Sequence, residues 1–358
     1  MRILGIETSC DETGAAVIEK ESTPIRSGSE NKKVKLISNV LASSLTLHSK
    51  TGGIIPETAA REQIKYIIPV INKTIEQCNN LTIGDIDAIA VTVGPGLIGS
   101  LLVGVETAKT LSYIYKIPII PVNHLFGHIY ANFISEIHNS EFIIHNSAAD
   151  VQFPAIALIV SGGHTDLVLI KNHGSIKWLG GTRDDAAGEA FDKVGRLLGL
   201  PYPGGPSIEK AAKNGNSKAF RFPRPLIDSS DFDFSFSGLK TAVFREVKAI
   251  ERLSNETISD ISASVQEAIV DVLIYKTLQA AQKYKVKSIL LGGGVAANQK
   301  LRDAFKSSIV NRQSSIKFFV PSKNLCTDNA AMIAAAAFYN YKPIPWQKIT
   351  ANPELYFD

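Results

Sequence analysis

His124 and His128 stand four residues apart in the stretch Pro121-Val-Asn-His-Leu-Phe-Gly-His-Ile-Tyr-Ala131. On a helix that spacing puts both imidazoles on one face, close enough to bind one metal ion. A zinc peptidase of the His-Glu-x-x-His type needs a Glu directly after the first His as general base, and Leu125 occupies that position here. The pair can therefore hold a metal without cleaving peptides. Two hydrogen-bonded histidines set against a core would have the same spacing, so a third ligand elsewhere in the chain has to decide. Asp11 and Glu12 are a second candidate for chemistry, at the tip of Glu7-Thr-Ser-Cys-Asp-Glu-Thr-Gly14. Backbone N–H groups and short hydroxyls in such a turn can cradle a phosphate, whereas the two carboxylates would repel one unless a metal or a proton transfer involves them. A plain surface hairpin is the alternative.

The elements that must position these groups follow from hydrophobic period and glycine placement. Met1 to Ile6 and Ala15 to Ile18 read as two strands around that polar tip, and Ile86 to Val93 as a buried strand. Pro56 to Gln77 carries Ile64, Ile67, Ile68 and Ile71 at helical spacing despite Pro69, and Val34 to Leu47 reads as a strand. Gly94-Pro-Gly-Leu-Ile-Gly-Ser100 opens a helix over Leu101 to Tyr115; it lacks the Gly-Lys-Ser/Thr of a P-loop and serves either packing or the approach of an anion. Residues 21–35 and 136–152 are polar connections, and the second marks a lobe boundary. The opening pattern then recurs as strand Ala155 to Val160, turn Ser161-Gly-Gly-His-Thr165 and strand Asp166 to Ile170, which points to a duplicated architecture.

A Ser-Gly-Gly turn presents N–H groups with no side chain in the way and suits a phosphate or carboxylate. Asp184 to Lys193 reads as an acidic helix start in which Asp192 either binds a ribose or complements the helix dipole. Lys213, Lys218, Arg221 and Arg224 interleave with Phe220 and Phe222, and Phe232 to Lys240 adds three more aromatic rings. That is a pattern for RNA backbone and base stacking or for an aromatic core edge. Ile258 to Tyr284 reads as a long amphipathic helix. After it, Gly292-Gly-Gly-Val-Ala-Ala-Asn298 lets a flat ring such as adenine lie on the backbone, with Asn298 in reach of the nucleoside. Asp328 precedes an alanine-rich helix, Ala330 to Tyr339, as an N-cap or as something more.

Composition narrows the class. The 358 residues are 45% hydrophobic and 20% charged, with a net charge of +4, which permits a nucleic-acid partner without arguing for one. No apolar run approaches the roughly 20 residues that cross a bilayer, so no membrane association is expected. The chain opens directly on a strand pattern rather than a signal segment, and a cytoplasmic location is expected. Cys10, Cys78 and Cys326 have no paired metal-type spacing and are expected to be reduced thiols.

Taken in order, Gly5-Ile-Glu-Thr-Ser-Cys-Asp-Glu-Thr13, Gly94-Pro-Gly-Leu-Ile-Gly99, Asn123-His-Leu-Phe-Gly-His128, Leu158-Ile-Val-Ser-Gly-Gly-His-Thr165, Asp185-Ala-Ala-Gly-Glu-Ala-Phe-Asp192, Tyr202-Pro-Gly-Gly-Pro206, Phe220-Arg-Phe-Pro-Arg224, Phe234-Ser-Phe-Ser-Gly-Leu-Lys-Thr241, Gly292 to Asn298 and Cys326-Thr-Asp-Asn329 span nearly the whole chain. Together they closely resemble the universal tRNA threonylcarbamoyl transferases, a family once described as O-sialoglycoprotein endopeptidases. The resemblance implies an α/β, actin-like fold with duplicated mixed sheets in two lobes and the ligand in the cleft between them. The expected division is 1–150, 151–327 and a final segment 328–358 that returns to the first lobe.

The same resemblance implies one divalent metal, Fe2+ or Zn2+, held by His124, His128 and Asp328. It implies an adenylate on Ile159, Val160, Ser161, Gly162, Gly163, Asp192, Gly205 and Asn298; Glu209 stands where the family commonly has Asp. The implied reaction moves the threonylcarbamoyl group of threonylcarbamoyl-AMP to N6 of the adenosine 3′ to the anticodon, in tRNAs reading codons that begin with A, with Asp11 and Glu12 assisting proton transfer. Implied partners are tRNA, a smaller non-catalytic paralogue and a small ATPase. A sugar kinase of the same fold would not need the His124, His128 and Asp328 set, a metallopeptidase would need a base in place of Leu125, and a non-catalytic relative would lack the histidine pair.

Overall fold

In the computed structural model, residues 1–20, 34–79, 81–135, 151–312 and 315–357 are described; the polar stretches expected to be connections fall largely outside them. The chain divides into two compact units, one made of Met1–Val151 with Asp328–Asp358 and the other of Gln152–Thr327.

The first unit is built on a mixed sheet of β1 (Arg2–Glu7), β2 (Glu12–Lys20), β3 (Val34–Ser43), β4 (Ala88–Gly94), β5 (Ile119–Asn123) and β6 (Ile134–Ser135), in the order β5-β4-β1-β2-β3-β6. β1, β2 and β3 form an antiparallel meander, and β4 and β5 add to it in parallel. Its helices are α1 (Leu45–Thr51), α2 (Pro56–Glu76), α3 (Ile98–Tyr115) and α4 (His124–Tyr130). Helix α1 occupies the end of what reads as a continuous strand from Val34 to Leu47. Pro56 begins α2, where a missing N–H costs nothing, and the helix runs on through Pro69. Ile67 and Ile71 are buried in the core with Leu4, Ile6, Val17 and Ile89, but Ile64 is 65% and Ile68 51% exposed. Helical period locates the apolar residues; the face that is covered is decided by the sheet beneath.

The second unit repeats the plan. Strands β7 (Ala155–Val160), β8 (Thr165–Asn172) and β9 (Ser175–Gly181) form the antiparallel meander, and β10 (Ser288–Gly292) and β11 (Lys317–Phe319) extend it in parallel, in the order β11-β10-β7-β8-β9. This is the order of the first sheet without β6, so the duplication expected from the two strand-turn-strand patterns is present in the topology. Around it lie α5 (Ala187–Leu197), α6 (Gly204–Ala212), α7 (Ser237–Ala249), α8 (Asn255–Lys283), α9 (Gln299–Asn311) and α10 (Lys323–Cys326). Helix α8 starts at Ser254, whose hydroxyl accepts from the Thr257 N–H, and is buried on most sides rather than amphipathic. The chain then re-enters the first unit as α11 (Ala330–Tyr339).

A further sequence expectation changes here, and one alternative left open is narrowed. Asp184 does not begin a helix: its carboxylate accepts from the Phe236 and Ser237 N–H groups and from the Ser235 and Ser237 hydroxyls, capping α7 from another segment. The aromatic rings Phe222, Phe232, Phe234 and Phe236 are core, and Arg224 is paired with Asp271 at 2.8 Å, so these rings form a core edge and are not open to stacking, while Lys213, Lys218 and Arg221 are exposed. Among the described residues, no helix is long and apolar enough to cross a membrane.

Candidate metal centre and nucleotide turn

Helix α4 opens on His124 because Asn123 caps it, its side-chain oxygen accepting from the Leu125 N–H at 2.8 Å. Leu125, at the position where a peptidase carries its base, is 0% exposed and belongs to the core. His128 lies one turn on, with the ring centroids 4.7 Å apart. The third residue arrives from the far end of the chain because α11 packs tightly on β1 and α4. A Cβ at Gly5 would collide with the Ala330 carbonyl, and one at Gly127 would come within 2.8 Å of Ile333 Cδ1. The close approach at Gly5 is to backbone and needs glycine there, whereas at Gly127 it is to flexible side chains that can give way. This packing sets the start of α11 beside the imidazoles, with Asp328 Oδ1 3.5 Å from His124 Nε2 and 3.4 Å from His128 Nε2. The cap of α11 is Asn329, whose side chain accepts from the Met332 N–H at 3.0 Å, so Asp328 is not needed for capping.

The donor set fits a metal ion. One ligand atom from each of His124, His128 and Asp328 lies within 4.8 Å of the others. Both ring nitrogens of His128 are buried without an aligned hydrogen-bond partner, an arrangement that a buried polar group tolerates poorly unless something binds it. Burial works against charge throughout the cluster, yet the carboxylates of Glu7 and Asp328 outweigh it at His124 and raise that imidazole to about 10. Burial pushes His128 down towards its neutral, ligating form. The Asp328 carboxyl would also be raised by burial, but the two imidazoles hold it well below the usual carboxylate range. Two carboxylates around one imidazole call for positive charge at this point, which a divalent cation would supply in place of a proton.

Glu7 carries no chemistry in the sequence reading, although the structure sets it directly behind His124. It is 0% exposed at the end of β1, with Oε2 3.2 Å from His124 Nδ1, and the Ser9 hydroxyl lies 3.1 Å from the same nitrogen. The Thr92 hydroxyl and the Ser9 N–H donate to the Glu7 carboxylate. A carboxylate at a strand end has no signal in period or spacing. Only the pairing of β1 with β4 and the position of α4 make its partners visible.

Asp11 sits on the turn from β1 to β2 and Glu12 is the first residue of β2, and the turn is pinned from two helices. Gln63 of α2 donates to the carbonyls of Thr8, Cys10 and Glu12, and Ser100 of α3 donates to that of Cys10. Gly96, before α3, serves this packing, since a Cβ there would collide with the Ser9 carbonyl, whereas Gly94 makes room for the Asn352 carbonyl. Burial raises Asp11, with the Asp328 charge adding to it. Burial and the neighbouring Asp11 raise Glu12 to about 8, and its Oε2 is buried without a hydrogen-bond partner while Oε1 accepts from the Ser43 hydroxyl.

In the second unit, the Ser161–Gly163 turn, the start of α5 and the glycine run after β10 meet. A Cβ at Gly188 would strike the Ser161 carbonyl, and one at Gly293, whose φ is +92°, would strike that of Val160. Ile159 and Val160 are buried in β7, whereas Gly162 and Gly163 are exposed with nothing within 4 Å of an added Cβ. Asp192 accepts from the Gly204 N–H at 2.6 Å and so fixes the start of α6 beside Gly205. Burial raises its carboxyl, while the Gly204 and Gly205 N–H groups work the other way. Glu209 accepts from the Gln299 N–H at 2.8 Å, which ties α6 to the start of α9. Asn298 caps α9, accepting from the Leu301 N–H at 3.0 Å and donating to Gln266 at 2.8 Å, so part of its hydrogen-bonding capacity is already used.

The chain matches the family described as tRNA N6-adenosine threonylcarbamoyltransferase over residues 35–335. A relative of that name from Syntrophomonas wolfei is 47% identical over 95% of this chain and 92% of its own length. Another, from Bacillus subtilis, is 48% identical over 94% of this chain and 89% of its own length. Among solved structures, a full-length HypF in the phosphate- and nucleotide-bound form superposes with a TM-score of 0.59 at 12% identity, covering 95% of this chain and 55% of HypF. The HypF of T. kodakarensis gives 0.57 at 14% identity, covering 95% and 47%. At those identities the likeness concerns the fold alone, and the two sheets of common order have the actin-like plan.

Proposed function

The chain belongs to the family of tRNA N6-adenosine threonylcarbamoyltransferases, and on that premise we propose that His124, His128 and Asp328 hold a divalent cation, with threonylcarbamoyl-AMP as donor. The acceptor is N6 of the adenosine 3′ to the anticodon, in tRNAs reading codons that begin with A. The observation that carries this reading is the convergence of two imidazoles and a distant carboxylate on one point, with His128 otherwise lacking aligned partners. Two nitrogens and one carboxylate oxygen suit Fe2+ and Zn2+ alike. Such a cation, when bound, polarises a carbonyl oxygen as a Lewis acid.

The chain's own residues do the rest. The exposed N–H groups of Gly162 and Gly163 receive the phosphate, Ile159 and Val160 hold the turn in place, and Asp192, Gly205, Glu209 and Asn298 line the nucleoside. The amine nitrogen attacks the carbamoyl carbon, the bond from that carbon to the phosphate oxygen breaks, and AMP leaves with the electron pair. Asp11 and Glu12 assist the proton transfer, because burial brings their exchange of protons nearer to neutral pH than that of an exposed carboxyl. The donor is an activated mixed anhydride, so positioning and electrostatics supply most of the acceleration. A peptidase reading finds no support in the site, since Leu125 is sealed in the core.

The reaction takes place in the cytoplasm, with a smaller paralogue and a small ATPase as helpers. Mass spectrometry of nucleosides from tRNA incubated with the protein and threonylcarbamoyl-AMP, with and without those helpers, tests the reading. The expected result is N6-threonylcarbamoyladenosine next to the anticodon; unmodified tRNA under both conditions would refute it.

A further inference from the structure

A histidine that binds a metal through one ring nitrogen is fixed by whatever holds the other. The two histidines differ in this respect. His128 has no aligned partner at either nitrogen, whereas His124 Nδ1 faces Glu7 Oε2 at 3.2 Å and the Ser9 hydroxyl at 3.1 Å. Glu7 is in turn held from two sides, by the Thr92 hydroxyl at 2.5 Å and by the Ser9 N–H at 2.6 Å, and it is 0% exposed. A buried carboxylate is costly unless it is paired, so this geometry is not that of a side chain filling space.

We propose that Glu7 is the positioning residue of the metal centre: its carboxylate takes the Nδ1–H of His124, fixes the ring and its tautomer, and turns the Nε2 lone pair towards the ion. This inference rests on the reading of His124, His128 and Asp328 as a metal site. Glu7 makes no contact with the ion or the substrate; it acts through His124. Because Ser9 bonds both Glu7 and His124, metal affinity is also tied to the turn that carries Asp11 and Glu12. Glu7 adds a second negative charge next to Asp328, which strengthens the preference for a divalent ion over an uncharged occupant.

Cobalt(II) titration of the full chain, followed by visible absorption and by competition with a chelator, tests this. Glu7→Gln keeps the shape but removes the charge, and its single acceptor oxygen can no longer serve both the Ser9 N–H and the His124 Nδ1–H. It is expected to weaken cobalt binding by about 10- to 100-fold and to alter the ligand-field bands, with AMP binding unchanged. A merely structural Glu7 would lower the melting temperature of the metal-free protein and leave cobalt affinity alone. Thr92→Val frees the carboxylate without touching His124 and is expected to weaken cobalt binding about threefold or more. It decides the matter by itself if Glu7→Gln does not fold. Cobalt affinity within twofold of wild type in the folded variants would overturn the proposal. Wild-type protein that takes up no cobalt would overturn the metal reading itself.

Discussion

Asp328 Oδ1 lies 3.4 Å from His128 Nε2 although the whole of the second unit separates the two residues in sequence. The contact is made by α11, whose alanine-rich surface lets it settle on β1 and α4 where Gly5 and Gly127 leave room. The placement of Asp328 beside the two imidazoles thus depends on a position that carries no side chain at all, Gly5.

That dependence predicts the effect of Gly5→Ala. The added Cβ meets the Ala330 backbone, which cannot rotate away as a flexible side chain would, so α11 must shift. A loss of about 1 to 3 kcal/mol in urea unfolding is expected, together with weaker metal uptake. Gly53→Ala, which meets nothing within 4 Å, is the control and should change neither.

Glu12 predicts a pH dependence of stability in the metal-free protein. Its folded value of about 8 lies above that of an exposed carboxyl, so between roughly pH 4.3 and 8 the native state binds more protons than the unfolded state. Stability therefore falls as pH rises through that window, and the loss is complete above it. Glu12→Gln removes this loss. The variant is expected to match wild type near pH 4, below the window, and to exceed it at pH 9 by an amount on the order of a few kcal/mol; thermal or urea unfolding at the two values measures it.

Much of the fold is legible in the amino-acid sequence. The spans Ala155–Val160 and Ala330–Tyr339 are read directly from apolar runs and recur unchanged as β7 and α11. The repeated strand-turn-strand pattern announces the duplicated sheet. The histidine pair declares itself by spacing, but Asp328 joins it only through family resemblance, since its neighbours are made by tertiary packing. The roles of Glu7 and Asp184 escape a reading of the sequence for the same reason: what defines each is a partner on another element, His124 in one case and the start of α7 in the other. Ile64 and Ile68 show the converse, apolar letters at the right period that the fold leaves uncovered.

Asp192 and Asn298 each serve the framework as well as the proposed ligand, and variants should separate the two duties. Asn298→Ala removes the cap of α9 and the Gln266 contact, with about 1 kcal/mol of stability lost and adenylate affinity lowered by about 1 to 3 kcal/mol. Asp192→Ala should weaken the adenylate by a similar amount, about 1 to 3 kcal/mol. Calorimetry with a non-reactive adenylate analogue, beside urea unfolding, reads both. Unchanged affinity in the two variants would move the nucleotide elsewhere.

Asp328 is proposed as a metal ligand and not a helix cap, and one variant separates the two roles. Asp328→Asn keeps the shape, loses the charge and leaves the Asn329 cap of α11 in place, so the fold should be retained. The measurement is metal content by mass spectrometry together with the rate of threonylcarbamoyl transfer to tRNA on the same preparation. Metal occupancy lowered by about tenfold or more, with transfer slowed alongside it, is the predicted result. Metal content and rate near those of wild type would show that Asp328 is not a ligand.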